Sequence, residues 1–181
     1  MSEFDPAFDY MIRNEDSKLA GKVTRDSGGL TRYGVSFNFL ERNGIDINRN
    51  GFVNEADILQ LTFEDARDLI YRPYFWDRAR LTTITDQRLA TKALDTAVNM
   101  GVPRMAKDIQ EAILYMGGSL KVDGVLGPTT IRLINEMGPS LLLAAFAHAN
   151  ALFYEDLVRL NPGKYLMYQI GWRRRALKIP I

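Results

Sequence analysis

Two carboxylic acids and a threonine hydroxyl near the start of the chain have the types and spacing that acid–base chemistry requires. Glu15 follows a helix-forming segment, and Asp26 and Thr31 flank a pair of glycines. Cleavage of a glycosidic bond needs a carboxylic acid that protonates the leaving oxygen. It also needs a second polar group that stabilises the oxocarbenium-like centre or holds a water molecule. Glycines allow the backbone to approach a sugar closely, so this segment is a candidate catalytic site.

The composition leaves carboxylates as the obvious acid–base groups. The 181 residues include one histidine and no cysteine, which excludes a disulfide, a zinc–thiolate site and a cysteine nucleophile. The net charge is +1, so overall charge gives no argument for a nucleic-acid partner. We expect a single domain over residues 1–181, with a catalytic part at 1–80 and a helical part at 81–181, and no organic cofactor.

The elements that must position these residues are mainly helical. Pro6 can begin a first helix that ends near Glu15, which places the acid at a helix end. The glycine-rich segment 21–34 predicts turns within a short hairpin, and a short helix follows near 37–42. The sequence therefore predicts a mainly α fold with a small irregular or β lobe near the N-terminus.

Proline and glycine residues mark the ends of the remaining predicted helices. Thr62 and Asp65 have the spacing of a helix start, and this helix should stop before Pro73. A long amphipathic helix at about 85–100 should end at Gly101. The last long helix, at about 140–160, is apolar over its first half, which predicts a core helix with a core role for His148. Further helices are expected to begin at Pro103, Pro128 and Pro139.

The glycine-rich segment resembles a conserved block of the glycoside hydrolase 108 family of phage endolysins and secretion-associated muramidases. The matching residues are Asp26, Gly28, Gly29, Thr31, Tyr33, Gly34 and Val35. The segment after Glu15 differs from the family, because Asp16-Ser17-Lys18 stands where the family has Gly-Gly-Tyr. Asp16 is therefore an alternative to Glu15 as the acid, although Glu15 occupies the matching place after the first helix.

The second half resembles the predicted peptidoglycan-binding segment of the same enzymes. The segments that carry this resemblance are 95–101, Gln110, 122–130, Tyr154 and 171–175. The family resemblance implies a lysozyme-like helical fold and an N-acetylmuramidase that cleaves the β-1,4 bond between N-acetylmuramic acid and N-acetylglucosamine. The order Glu15, Asp26, Thr31 also resembles the catalytic trio of phage-type lysozymes, which implies that Asp26 and Thr31 position the attacking water.

Four further residues are candidates for binding the glycan, namely Tyr33, Asp95, Asn99 and Asp123. Asp95 and Asn99 are four residues apart on one helix, so they share a face that lines a glycan groove or holds the surroundings of the acid. The alternatives are a loop cap for this pair and a tight turn for Asp123. Trp76 and Trp172 are either sugar-stacking or core residues.

Two other functions remain open. A lytic transglycosylase uses one glutamate, and the 6-hydroxyl of the sugar replaces water. A non-catalytic wall-binding module or secretion accessory would use the segment 95–130 without cleaving a bond. Hydrolysis is favoured over transglycosylation because Asp26 and Thr31 suit an enzyme that uses water.

The segment 46–57 has the spacing of a calcium-binding EF-hand loop. The oxygen ligands would come from side chains at positions one, three, five and twelve and from a backbone carbonyl at position seven. These residues are Asp46, Asn48, Asn50, Asp57 and Phe52. Two formal carboxylates predict modest affinity and a structural role for Ca²⁺. The alternative is an asparagine- and glycine-rich turn without metal.

The N-terminus and the longest apolar run allow expectations about how the protein is delivered and where it acts. The N-terminus lacks the features of a signal peptide, and the apolar run 141–153 is too short to span a bilayer. We expect a monomer that is made in the cytoplasm and acts on peptidoglycan glycan strands in the periplasm, delivered by a holin or a secretion route. Neither nucleic-acid binding nor stable membrane insertion is expected. The basic run 173–175 is a solvated helix end or an anchor for an anionic cell wall or outer leaflet.

Overall fold

A computed structural model describes residues 1–15, 21–26 and 29–181, with only the backbone described at positions 15 and 26. The elements of the N-terminal part begin with a helix and a small sheet, which confirms a mainly α fold with a β lobe near the N-terminus. They are α1 (Phe4–Glu15), β1 (Thr24–Asp26), β2 (Gly29–Arg32), β3 (Val35–Ser36), α2 (Phe37–Asn43), α3 (Glu55–Gln60) and α4 (Phe63–Asp65).

The remaining elements are helical. α4 continues directly into a π-helical segment (Ala66–Asp77), and a short 3-10 turn (Leu81–Thr83) precedes the long helices. The α-helices that follow are α5 (Gln87–Met100), α6 (Val102–Tyr115), α7 (Pro128–Glu136), α8 (Pro139–Leu160), α9 (Pro162–Tyr165) and α10 (Gln169–Leu177), with a 3-10 turn (Leu166–Tyr168) between the last two. The expected starts at Pro128 and Pro139 and the end at Gly101 are confirmed.

The sheet is antiparallel in the order β1-β2-β3, and its second turn is tight. Arg32 pairs with Val35, and Tyr33 (φ 50°) and Gly34 (φ 76°) form the two-residue connection. Two successive positive φ angles are typical of a type I′ turn, which matches the twist of the strands. The hydroxyl of Tyr71 donates to the carbonyl of Tyr33 at 2.7 Å and fixes this turn to the π-helical segment.

The prediction that the fourth helix stops before Pro73 is wrong. Thr62 and Asp65 form the expected capping box, but the helical path runs through Pro73 as a π-helix to Asp77. A proline within an α-helix clashes with the carbonyl four residues earlier, and the wider π-helical turn changes that spacing. The buried rings of Tyr71 and Trp76 lie on either side of the proline, so tertiary packing holds the segment in place.

Helix α5 is the centre of the molecule. It packs against α1, α6, α8 and the π-helical segment, and most of its length is buried. One hydrophobic cluster extends from Phe4 in α1 to Phe146 in α8 and so includes residues of both halves of the chain. The position of the first helix is therefore determined by the helices that follow it in sequence.

Helix α8 is a core helix with one exposed stripe. With 22 residues, the helix is long and apolar enough to cross a membrane by length and composition. However, half of its most apolar stretch is buried inside the protein. The expected core role of His148 is wrong, because this residue is exposed. Leu141 and Leu152 are exposed on the same helix, at spacings of seven and four residues from His148, so all three face outward.

Candidate active site

The end of α1 is tied to α5 and to the C-terminus through Asn14. Its amide nitrogen Nδ2 donates to Oδ1 of Asp95 at 2.9 Å, and Nζ of Lys178 donates to its Oδ1 at 2.8 Å. Glu15 is the next residue and the last of α1. Because the side chain of Asn14 is bonded on both its polar atoms, the backbone that carries the candidate acid is held against α5.

Asp95 is a buried carboxylate with charged and neutral partners. Its side chain is 2% exposed, and Nη2 of Arg175 lies 3.0 Å from Oδ1 while Nε lies 3.5 Å from Oδ2. Burial of a carboxylate is tolerated where ion pairing and hydrogen bonds replace water. We call Asn14, Lys92, Asp95, Arg175 and Lys178 the polar seam, because they join α1, α5 and the end of α10.

Lys92 completes the seam at the C-terminal end of α10. Its Nζ donates to the carbonyls of Arg175 at 2.9 Å and of Lys178 at 3.1 Å. These carbonyls are near the end of a helix, where a cation is favourable. Burial is the main reason that the pKa of Lys92 falls to about 8, with the charge of Asp95 opposing the shift.

Tyr10 lies beside the seam on α1. Burial, followed by the negative charge of Asp95, raises the pKa of Tyr10 to about 12, so the phenol is neutral at physiological pH. Nζ of Lys178 lies 5.1 Å from the centre of its ring, which is within the range of a cation–π contact. The last two turns of α1 therefore contact the same C-terminal residues.

A cavity of about 170 Å³ lies between the sheet, α2, the π-helical segment and α5. Its lining is mostly apolar, with Gly34, Val35, Ser36, Phe39, Ile70, Tyr71, Phe75 and Val98. Val98 is three residues after Asp95 on α5, so the two side chains are neighbours on the helix surface. The helix that lines the cavity through Val98 therefore also holds the end of α1 through Asp95.

The hairpin carries the second set of candidate residues. The Cα register places Asp26 opposite Gly29 and Thr24 opposite Thr31. Oγ1 of Thr31 is buried and makes no hydrogen bond to any residue that the structure describes. The side chains of Glu15 and Asp26, and the whole of Asp16, lie outside the described residues.

Tyr33 is held by its neighbours at the turn. Its ring is half-buried, makes an edge contact with Phe63 at 5.7 Å and covers the backbone of Gly21. A Cβ atom at Gly21 would lie 2.3 Å from the ring, so only glycine fits there. The predicted contact of Tyr33 with glycan stays a prediction, and the observed contacts show how the ring is oriented.

Asp95 and Asn99 differ in access to solvent. The carboxylate of Asp95 is enclosed and accepts a hydrogen bond from Asn14, the residue before Glu15, and both expected roles of Asp95 stay predictions. Asn99 is exposed and accepts a hydrogen bond from the hydroxyl of Tyr154. Tyr154 stacks on Trp172 at 4.9 Å. A glycan contact by Asn99 stays a prediction.

Asp123 organises a loop in the C-terminal half. Its Oδ1 accepts hydrogen bonds from Nε2 of Gln110 and from the backbone of Val125, both at 2.9 Å. The bond from Gln110 is the main reason that the pKa of Asp123 lies below its usual value. These bonds match the tight-turn alternative, and glycan binding by Asp123 stays a prediction.

Gln110 has a bracing role that the sequence alone does not single out. It is buried on α6, and its Oε1 accepts from the backbone of Asp123 at 3.0 Å and of Gly124 at 2.9 Å. An uncharged amide on the inward face of an amphipathic helix is the signal that indicates such a role, because buried polar groups need partners.

Backbone amide groups engage the acidic residues of the EF-hand-like loop. Oδ1 of Asp57 accepts from the backbone of Ile47 at 2.8 Å and of Asn48 at 3.1 Å. Oδ2 accepts from the backbone of Asn54 at 2.8 Å in the capping box of α3. Oδ2 of Asp46 accepts from Gly51 at 2.7 Å. The two carboxylates thus fold the loop around its own amides.

The other candidate ligands of this loop take part in short-range bonds as well. Oδ1 of Asn48 accepts from the backbone of Asn50 at 3.1 Å, and Oδ1 of Asn50 accepts from that of Phe52 at 2.9 Å. Within the described ranges, no group of three or more acidic, histidine or cysteine side chains could hold a metal ion. A calcium ion would have to share these oxygens with the amides, so calcium binding stays a prediction.

The two tryptophans have different surroundings. Trp76 is a core residue whose Nε1 donates to Oγ1 of Thr82 at 2.8 Å. Trp172 is half-buried within an aromatic cluster that also contains Tyr154, Tyr165 and Tyr168. This cluster attaches α10 to the end of α8 and so supports Arg175, which lies three residues after Trp172.

Comparisons with known proteins identify the family and the fold. Residues 12–101 match the family model described as glycosyl hydrolase 108, and residues 105–177 match the predicted peptidoglycan domain. The structure is similar to that of SagA from Brucella abortus, with a TM-score of 0.68 and 23% identity over 96% of this chain and 93% of that one. This similarity shows the fold. No curated protein matches the chain significantly.

The boundary between the two matched regions falls at the junction of α5 and α6, and the polar seam joins residues from both regions. The first region matches a family of glycosyl hydrolases, and the second region matches a predicted peptidoglycan domain. Together they support a peptidoglycan hydrolase, and the chain belongs to the glycosyl hydrolase 108 family through residues 12–101, with a predicted peptidoglycan domain at residues 105–177.

Proposed function

We propose that the protein is an N-acetylmuramidase that hydrolyses the β-1,4 bond between N-acetylmuramic acid and N-acetylglucosamine in peptidoglycan. The observation that carries this proposal is the hydrogen bond from Asn14 to Asp95, which holds the end of α1 against α5, the helix whose Val98 lines the cavity. Glu15 follows Asn14 as the last residue of α1, and this place in the chain supports its assignment as the acid.

In the proposed reaction Glu15 is the general acid. It donates its proton to the bridging oxygen as the bond from that oxygen to the anomeric carbon breaks. A water molecule forms the new bond to the anomeric carbon from the opposite face and gives its proton to Asp26. The hydroxyl of Thr31 orients this water, and a direct attack of this kind inverts the anomeric configuration.

The glycan strand would lie along the cleft and contact exposed polar and aromatic groups. The rings of Phe39 and Phe75 provide apolar surface of the kind that packs against sugar faces and acetyl groups. Tyr33, Asn99 and Asp123 are proposed as further contacts. We also propose that the enzyme acts as a monomer without an organic cofactor, and that a holin or secretion route carries it from the cytoplasm to the periplasmic wall.

Glu15→Gln tests the assignment of the acid. The amide cannot donate a proton of the required acidity, so we expect the rate of sacculus digestion to fall by about 10²–10⁴-fold. The melting temperature should stay close to that of the wild type. Asp16→Asn is the matched control because Asp16 is the adjacent carboxylate, and it should retain activity. Full activity in Glu15→Gln would refute the assignment, and loss of activity only in Asp16→Asn would move the role to Asp16.

Product masses test the type of reaction. Hydrolysis gives muropeptides with reducing ends, whereas 1,6-anhydro ends would establish a lytic transglycosylase. Thr31→Val removes the hydroxyl that orients water and should lower the rate with little change in sacculus binding. Binding of sacculi without any digestion by the wild type would leave only a wall-binding function.

Calcium binding by residues 46–57 is proposed as a structural function of the loop. A ligand present at about 100 times its Kd adds about 2.7 kcal/mol of stability, which for a chain of this size raises Tm by roughly 5 °C. We expect this rise with Ca²⁺ in the wild type and its loss in Asp46→Asn. Equal Tm values with Ca²⁺ and with a chelator would show that the loop is held by its own amides.

A further inference from the structure

The C-terminal 22 residues expose an unusual amount of apolar surface. Among the described residues, eight of the 17 exposed large hydrophobic side chains belong to positions 160–181. Met167 is 80% exposed and Ile170 is 67% exposed. The others are Leu160, Leu166, Tyr168, Leu177, Ile179 and Ile181. Contiguous apolar surface of this kind marks an interaction site more often than scattered single residues do.

The same 22 residues have a one-sided charge. They contain five of the 23 lysine and arginine residues and none of the 22 aspartate and glutamate residues. The rest of the chain therefore has 18 basic against 22 acidic residues, so the positive charge is concentrated in this segment. A surface that is both cationic and apolar is complementary to an anionic surface with an apolar interior.

One face of α10 combines the two properties. Ile170, Arg173, Arg174 and Leu177 follow the spacing i, i+3, i+4, i+7 and together line a shallow depression on the surface. The opposite face of α10 packs on α8 through Trp172 and Ala176. The helix is therefore fixed by its inner face. On its outer face Nε of Arg173 lies 3.8 Å from Oε1 of Glu155 on α8, and this ion pair is exposed to solvent.

We propose that this face, formed by Leu166, Met167, Ile170, Arg173, Arg174 and Leu177, docks on the surface of an anionic phospholipid bilayer. The apolar side chains would enter the boundary between headgroups and acyl chains, and the two guanidinium groups would bind lipid phosphates. The long arginine side chains can keep their charged ends at headgroup level beside buried apolar neighbours. This is peripheral attachment and needs no transmembrane helix.

Two features favour a lipid surface over other occupants. A polyanionic wall polymer would be bound through the arginines alone, and the exposed methionine, leucine and isoleucine side chains would stay in water. A second copy of the chain would bring two cationic faces together, which repel each other. Only an anionic bilayer offers partners for both the charged and the apolar side chains.

Co-sedimentation of the full-length protein with lipid vesicles tests the proposal. Vesicles of phosphatidylcholine with one quarter phosphatidylglycerol should bind the wild type, and pure phosphatidylcholine vesicles should bind at least tenfold less. Added salt should weaken the binding. Met167→Ser with Ile170→Ser, and separately Arg173→Gln with Arg174→Gln, should each lower binding by about tenfold.

Leu141→Ser with Leu152→Ser is the matched control. These leucines are 70% and 47% exposed on α8, outside the proposed face, and their replacement should leave vesicle binding unchanged. Equal losses in the control and in the Met167/Ile170 variant would overturn the proposal. So would a loss confined to the arginine variant, which would indicate electrostatic adsorption without insertion of the apolar side chains, or a wild-type dimer abolished by Met167→Ser with Ile170→Ser.

The outcome is independent of the proposed catalytic function. Glu15→Gln should bind anionic vesicles as the wild type does, and the surface variants should digest purified sacculi, which lack phospholipid, at the wild-type rate. Failure to bind vesicles in a protein that digests sacculi would refute the membrane face alone.

Discussion

Two buried aspartates on neighbouring helices are stabilised in different ways. Asp95 on α5 has its carboxylate contacted by Arg175 and Asn14, which come from the other end of the chain and from α1. Asp108 on α6 is 0% exposed and is bonded through Oδ1 to Nε of Arg104 at 2.6 Å, one helical turn away. Oδ2 of Asp108 is buried without a hydrogen-bond partner among the described residues.

The difference shows what each carboxylate does for the structure. Burial raises the pKa of Asp108 to about 7, although the charge of Arg104 opposes the shift. A local ion pair within one helix does not hold two elements together, and its desolvation cost remains. The carboxylate of Asp95 instead joins three elements around the end of α1, and a buried polar network of this kind specifies one arrangement of those elements.

The largest expected effect comes from Asp95→Ala. The substitution leaves the guanidinium of Arg175 without its carboxylate and the amide of Asn14 without its acceptor. Removing one partner of a buried ion pair typically costs about 3–5 kcal/mol in the free energy of unfolding. Urea unfolding measures the change, and Asp108→Ala should cost less at pH 5, where its carboxyl is protonated. Equal losses of unfolding free energy in the two variants at pH 5 would show that the two aspartates do not differ in how they stabilise the protein.

Asn14→Ala should have a smaller effect on stability but a disproportionate effect on activity. Loss of the bonds to Asp95 and Lys178 should lower the free energy of unfolding by about 1–2 kcal/mol. The end of α1 would then be free to move, and misplacement of Glu15 should lower kcat more than it raises KM. Sacculus digestion measured against substrate concentration separates the two constants.

Asn135→Ala is the control for Asn14→Ala. Asn135 also bridges two elements, accepting from the backbone of Thr85 at 2.9 Å and donating to the carbonyl of Thr83 at 2.9 Å. Its loss should lower stability to a similar extent while kcat is retained. If both variants lost activity in proportion to stability, Asn14 would have a general structural role and no specific positioning role.

Local sequence patterns predicted much of the fold. The helix starts at Pro128 and Pro139, the end at Gly101 and the capping box of Thr62 are all confirmed, because caps and backbone restrictions act over a few residues. The helical path through Pro73 was not predicted, because packing of Tyr71 and Trp76 in the core outweighed the local effect of proline.

The site was predicted less completely than the fold. The sequence indicates that Asp95 and Asn99 share a helix face, but nothing local indicates that Arg175, 80 residues later, pairs with Asp95. Helical periodicity also gives little guidance in α8, where apolar residues occur on nearly all sides, and this explains the wrong assignment of His148 to the core. Long-range polar contacts depend on the packed arrangement and leave no short-range pattern.

The smallest expected effect is a change in pH dependence at Asp108. The carboxyl has a pKa of about 7 in the folded protein against an ordinary value of 3.8, so between these values the folded state holds a proton that the unfolded state has lost. Stability from this group is therefore highest below pH 4 and declines as pH rises to 7. In Asp108→Asn this decline is absent, and the stability difference between wild type and variant should fall by on the order of 1–2 kcal/mol between pH 5 and 8.

Asp123→Asn is the control of opposite sign, because the pKa of Asp123 is lowered and its contribution to stability is lost only as pH falls into the acidic range. A flat wild-type-minus-variant difference for Asp108 would mean that the charge of Arg104 fully offsets the effect of burial on the pKa of Asp108.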